Sequence, residues 1–130
     1  MRVVAGGDRS QQYGGRFTGR AEIEMLAAAT ANGDPDTALV RFFDGAVSFW
    51  HRHPGGQQLF VHAGTARVGT EVDGEVTLQQ GSLVVCPPNE RHWHGAAAGR
   101  DTTLLALTWG VTQWEDVAPP VAPDGPTLAT

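Results

Sequence analysis

Glycine and proline interrupt this 130-residue chain 17 and 8 times and cut it into short segments, the habit of an all-β barrel or sandwich. Asp44-Gly45 and Asp73-Gly74 each lie between apolar stretches. Both read as hairpin turns, because Asp-Gly tolerates the positive φ that such turns require. The segments between breakers predict strands over Phe17–Met25, Ala38–Phe43, Val47–His53, Gln58–His62, Ala66–Glu71, Val76–Gln79, Leu83–Cys86, Arg91–Ala96 and Thr103–Trp109. In the first of these, Phe17, Gly19, Ala21, Ile23 and Met25 alternate with Thr18, Arg20, Glu22 and Glu24, the pattern of a half-buried strand. Ala27–Ala31 is rich in helix formers, but the preferred reading is strand followed by loop, closed by Asn32-Gly33-Asp34-Pro35.

Composition narrows the class. With 41% hydrophobic and 18% charged residues the chain is ordinary globular material with room for one core. No apolar run reaches the roughly 18 residues of a membrane span. Met1–Ser10 has no apolar h-region, so a chain starting at Met1 is expected to be cytoplasmic. The net charge is −5, and the nine basic residues, all Arg, are scattered rather than striped, which argues against nucleic acid as a partner. A lone Cys86 cannot form an internal disulfide. The expected organisation is an N-terminal arm over 1–16, a barrel over 17–117, and a Pro-rich tail over 118–130, mobile or draped on the surface.

Four of the five histidines form two His-x-His pairs, His51/His53 and His92/His94. Residues i and i+2 of a strand share a face. Each pair therefore aims two imidazoles one way, while Trp50, Arg52 and Trp93 point the other. Where both faces meet in one barrel interior, neutral imidazole nitrogens converge as ligands for a divalent metal. Gln57 follows across Pro54-Gly55-Gly56, near enough to bring its amide oxygen in; His62 falls on the opposite face.

The spacing resembles the two motifs of the cupins. Gly45, five residues, His51-x-His53, three residues, Gln57, six residues and Gly64 follow the first. Gly81, five residues, Pro87-x-Asn89-x-x-His92, three residues and Ala96 follow the second. Gln57, Asn89 and Ala96 stand where the family usually has Glu, Gly and Asn. Asn89 enters the left-handed region more readily than most residues, so the turn survives. The resemblance implies a single-domain cupin, a jelly-roll β-barrel, with His51, His53, Gln57 and His92 as metal ligands. Trp50–Gln57 and Pro87–Ala96 are further similar to a subgroup of small bacterial cupins that includes the manganese-dependent hydroxynitrile lyases, in which three His and one Gln hold the ion.

Three imidazoles and an amide are all neutral, so the bound ion keeps its full +2 charge and favours anions and Lewis-acid chemistry. Such donors suit manganese, iron, cobalt, nickel or zinc; the resemblance favours manganese or iron. His94 shares a face with His92 and is the expected proton acceptor. Ala38, Val40 and Phe49 are expected to wall the substrate pocket, with Trp109 and Trp114 at its mouth. The expected function is non-redox lyase chemistry of the hydroxynitrile-lyase type on a small molecule. The alternatives are a metal-dependent oxygenase cleaving a C–C bond, a tailoring enzyme or isomerase of secondary metabolism, and a non-catalytic small-ligand-binding cupin. Apolar alternation on the first strand suggests a homodimer.

Overall fold

The computed structural model describes residues 1–5, 11–13, 15–31 and 33–121. Parts of the expected arm and most of the expected tail, and Asn32 of the expected loop, lie outside the described residues. The described residues form eleven strands and no helix: β1 Gln11–Tyr13, β2 Ala21–Ala27, β3 Asp36–Phe42, β4 His51–Arg52, β5 Gln57–Gly64, β6 Ala66–Thr70, β7 Gly74–Leu78, β8 Leu83–Cys86, β9 His92–Ala96, β10 Thr102–Thr108 and β11 Gln113–Trp114. They build two antiparallel sheets, ordered β1-β2-β3-β10-β5-β8 and β11-β4-β9-β6-β7. This is the all-β arrangement expected from the segment pattern and the jelly roll that the cupin resemblance implies.

Alternation along the central strands makes the core. On β10, Thr102, Leu104 and Ala106 are buried, while Thr103, Leu105 and Leu107 are half-buried on the other face. Leu104 sits opposite Val40 of β3 and Val61 of β5, so three apolar residues meet across three strands. Phe42, Leu59, Val61 and Leu104 are essentially sealed from water, with small residues such as Ala21, Ala66 and Ala96 filling between them. Each such large side chain contributes about 1.5–3 kcal/mol by burial.

The turns follow their sequence signals. Asp44 and Gly45 both have positive φ, 51° and 74°, and Ala46 N donates to Phe43 O across them. Asp73-Gly74 closes the β6–β7 hairpin, where Thr70 pairs with Gly74. Asn89 takes φ 64°, as its place in the second motif requires.

Two expected strands are shorter than their patterns suggest. Of Val47–His53, only His51 and Arg52 join a ladder. Val47 and Ser48 make isolated bridges, while Phe49 N bonds to Arg16 O and Trp50 N to Val117 O. Backbone groups that would extend the strand are taken by chain from outside the sheets. The first strand likewise begins at Ala21, with Phe17 bridged to Ser48. Its apolar members Ile23 and Met25 line the chain's own cavity. Gln11–Tyr13 and Gln113–Trp114 form edge strands that no periodic pattern marks.

Candidate metal centre

β4 and β9 lie side by side with His51 opposite His92. The two-residue period then turns His51 and His92 to one interior, and His53 follows just past the end of β4. Ring centroids of His51 and His92 are 4.4 Å apart, and those of His53 and His92 5.2 Å. One ligand nitrogen from each of the three lies within 4.8 Å of the others, and all three residues are buried. Trp50, Arg52 and Trp93 face elsewhere: Arg91 lies 4.0 Å over the Trp50 ring, Arg52 approaches Glu115, and Trp93 covers Gly69.

Gln57 reaches the cluster because the turn before it is built from glycine. Gly56 has φ +90°, and a Cβ there would meet Cys86 O at 2.8 Å; one on Gly55 would meet the Trp109 Cβ at 2.6 Å. A side chain at either position would push the turn away from the sheet. With the turn closed, Gln57 heads β5 directly opposite Thr108, the last residue of β10. Its Nε2 donates to Thr108 Oγ1 at 2.8 Å, and its Oε1 lies 3.0 Å from His92 Nε2.

The outer nitrogens of the imidazoles are already engaged. His51 Nδ1 meets Phe49 O at 2.8 Å and His92 Nδ1 meets Glu90 O at 3.0 Å. A carbonyl only accepts, so both Nδ1 atoms carry the proton and both Nε2 atoms present lone pairs. His53 Nδ1 pairs with Thr112 Oγ1 at 3.0 Å, and its Nε2 is buried without a hydrogen bond. The Gln57 oxygen and the His92 nitrogen thus face each other as two acceptors, with a third buried nitrogen nearby. Acceptors buried together without a donor are costly; a divalent cation among them removes the conflict. This nitrogen and oxygen donor set fits such an ion.

Burial keeps the cluster neutral. It is the main cause that takes His53 down to about 4 and His51 well below its ordinary value, with the charge of His92 adding in both. The Gln57 amide opposes the shift at His53, and the Phe49 carbonyl opposes it at His51. His92 is lowered by burial against the pull of the Glu90 carbonyl. His94 is pushed well below the histidine range, first by burial and then by His51, His92 and His53.

A cavity of about 120 Å³ opens beside the cluster. His51, His53, Gln57 and His94 form its polar end, and Ile23, Met25, Ala38, Val40, Phe42 and Ala106 its apolar wall. His94 hangs from β9 with its backbone N–H donating to Ser48 Oγ, its Nδ1 buried without a partner, and its ring edge-on to Phe42. Of the expected pocket residues, Ala38 and Val40 line the cavity, as does Trp114, whose ring is 4.6 Å from that of His51. Phe49 and Trp109 are not among the lining residues. Phe49 serves through its carbonyl on His51, and Trp109 is tied by its backbone to Gly55 and Gly56. Phe17, Ile23, Met25, Asp36, Phe42, Ala106, Thr108 and Thr112 complete the lining without having been singled out from sequence. Ile23 and Met25 were marked by alternation, and Phe42 by its place two residues beyond Val40; the threonines carry no local signal.

The cupin domain family matches residues 38–108, a span that runs from the cavity-wall residue Ala38 to the Gln57 partner Thr108. The chain belongs to the cupin family. This cupin is 40% identical over 96 residues to the (R)-mandelonitrile lyase of Granulicella tundricola, a match covering 70% of each chain. A cupin-like protein from Thermotoga maritima superposes with a TM-score of 0.80 at 28% identity, over 88% of this cupin and 90% of that chain. The DMSP lyase of Ruegeria pomeroyi shares the fold, with a TM-score of 0.62 at 22% identity over 76% of this cupin and 51% of that chain.

Proposed function

We propose that this cupin holds one divalent ion, manganese or iron, through His51, His53, Gln57 and His92, and cleaves a small neutral cyanohydrin to a carbonyl compound and cyanide. The observation carrying this reading is the convergence of neutral donors beside a cavity whose wall is mostly apolar. The likeness to an (R)-mandelonitrile lyase supports the reaction type.

The ion, when bound, supplies Lewis acidity toward oxygen or the departing anion. The protein does the rest. Ala38, Val40 and Ala106 leave room for the substrate's apolar substituent, since small side chains stand where larger ones would fill the cavity. An enclosed apolar cavity of about 150 Å³ takes a benzene ring, so about 120 Å³ in a cavity open at its mouth suits a substituent no larger than a single ring. No Arg lines the cavity among the described residues, and Asp36 sits on its wall. Apart from the ion itself a carboxylate substrate would find no counter-charge there and would face Asp36, which favours an uncharged one. His94 takes the hydroxyl proton. The C–CN bond breaks, its electron pair leaves on cyanide, and the hydroxyl oxygen becomes the carbonyl oxygen.

The test is cyanide and benzaldehyde release from mandelonitrile by the manganese-loaded protein, with oxygen uptake followed in parallel. Release above the metal-free control without oxygen uptake is the expected result. Oxygen uptake with diketone or phenolic substrates and no cyanide release would replace the lyase reading with an oxygenase one.

A further inference from the structure

We infer that Thr108 is a positioning residue that sets which end of the Gln57 amide faces the metal centre. The inference rests on the reading that the site holds a metal.

An amide has one end that ligates a cation and one that does not. The oxygen offers lone pairs, whereas the NH₂ group offers only donors. A glutamine ligand therefore carries an ambiguity that the more usual glutamate does not, since both ends of a carboxylate are oxygens. Gln57 faces a strong temptation to turn the wrong way. Its neighbour at 3.0 Å is His92 Nε2, a lone pair because Nδ1 is committed to Glu90 O. Turned over, the amide would donate to that nitrogen and block two ligands at once.

Thr108 opposes this. Its Oγ1 accepts from Gln57 Nε2 at 2.8 Å and leaves Oε1 toward His92. The pair is set by register, Gln57 and Thr108 being directly opposed on antiparallel strands with both side chains in the cavity lining. An apolar residue in place of Thr108 would hold neither end of the amide.

Thr108→Val keeps the shape and branching of the side chain and removes only the hydrogen bond. Manganese(II) affinity, measured by competition with a fluorescent chelator, is expected to fall about 10–100-fold, the usual cost of losing a partner that orients a ligand. Thr108→Ser should restore it. In a Gln57→Glu background the same Thr108→Val change should cost less than about threefold, because a carboxylate has no wrong end; a role in packing alone would cost the same in both backgrounds. Should Thr108→Val fold poorly, Thr108→Ala and Thr108→Ser give the same contrast. If the wild type binds one manganese and Thr108→Val binds it equally well, or the loss is equal in both backgrounds, the inference is overturned while the metal centre stands. If the wild type binds none, the metal reading fails and takes the inference with it.

Discussion

The two sheets face one cavity and contribute opposite chemistry to it. From the six-stranded sheet come Ile23, Met25, Ala38, Val40, Phe42 and Ala106, which are apolar; from the five-stranded sheet come His51, His94 and Trp114. Gln57 and Thr108 are the crossing point, polar residues that this six-stranded sheet, with Asp36, adds to the cavity. The apolar sheet has the longest ladder, as β3 and β10 pair over seven residues without a shift, although β10 and β2 are bulged against β5 and β3. The histidine strand β4 is two residues long and pairs with β9 at one position. Around it, ladder hydrogen bonds give way to bonds that fix imidazoles, such as Phe49 O on His51. One sheet supplies stability and the shape of the pocket; the other supplies donors that destabilise the metal-free fold.

That division predicts separable effects. The largest is expected in the apolar half. Leu104→Ala should lower unfolding free energy by about 2–5 kcal/mol, read from urea melts. The folded fraction should still bind metal with wild-type stoichiometry, because Leu104 belongs to the core cluster rather than to the cavity lining. Loss of metal from folded protein would show that the halves are coupled.

In the polar half, His94→Ala should reduce cyanohydrin turnover about 100-fold or more, equivalent to about 2.7 kcal/mol in the barrier, while metal content stays whole. Unchanged turnover would remove His94 as the proton acceptor.

Acid sharpens the contrast further. His53 titrates near 6.5 when unfolded and near 4 in the metal-free fold, so between those values the unfolded chain holds the extra proton. Stability therefore rises with pH across this window and falls as pH drops from about 6.5 toward 4. Each such histidine contributes at most about 1.4 kcal/mol per pH unit. His51, His92 and His94 are lowered in the same direction. Urea midpoints of metal-free protein should be lower at pH 5 than at pH 7. Equal midpoints would mean that the imidazoles are not held neutral by burial.

The polar half was also the more legible in sequence, for a physical reason. His-x-His and the Gly-flanked intervals are local, and a two-residue period turns them into a shared face without reference to the rest of the chain. Asn89, with its left-handed turn, is legible in the same way. Ala38 and Val40 follow from alternation along one strand. Phe49 and Trp109 did not reach the cavity because their neighbourhood leaves regular strand geometry, where alternation no longer says where a side chain points. Thr108 and Thr112 were illegible because their partners are 51 and 59 residues distant. Only strand register brings Thr108 to Gln57, and only the loop after β10 brings Thr112 to His53. Edge strands of three and two residues, Gln11–Tyr13 and Gln113–Trp114, are too short to carry a period at all.

The central claim is that the buried imidazoles and the Gln57 amide form a metal centre. Elemental analysis of protein purified without a metal-binding tag, beside a His51→Ala/His53→Ala variant, tests it most directly. About one equivalent of manganese, iron or zinc per chain, lost in the variant, is the predicted result. A wild-type protein that carries no metal and takes up none on addition, or a variant that keeps its full equivalent, would contradict it.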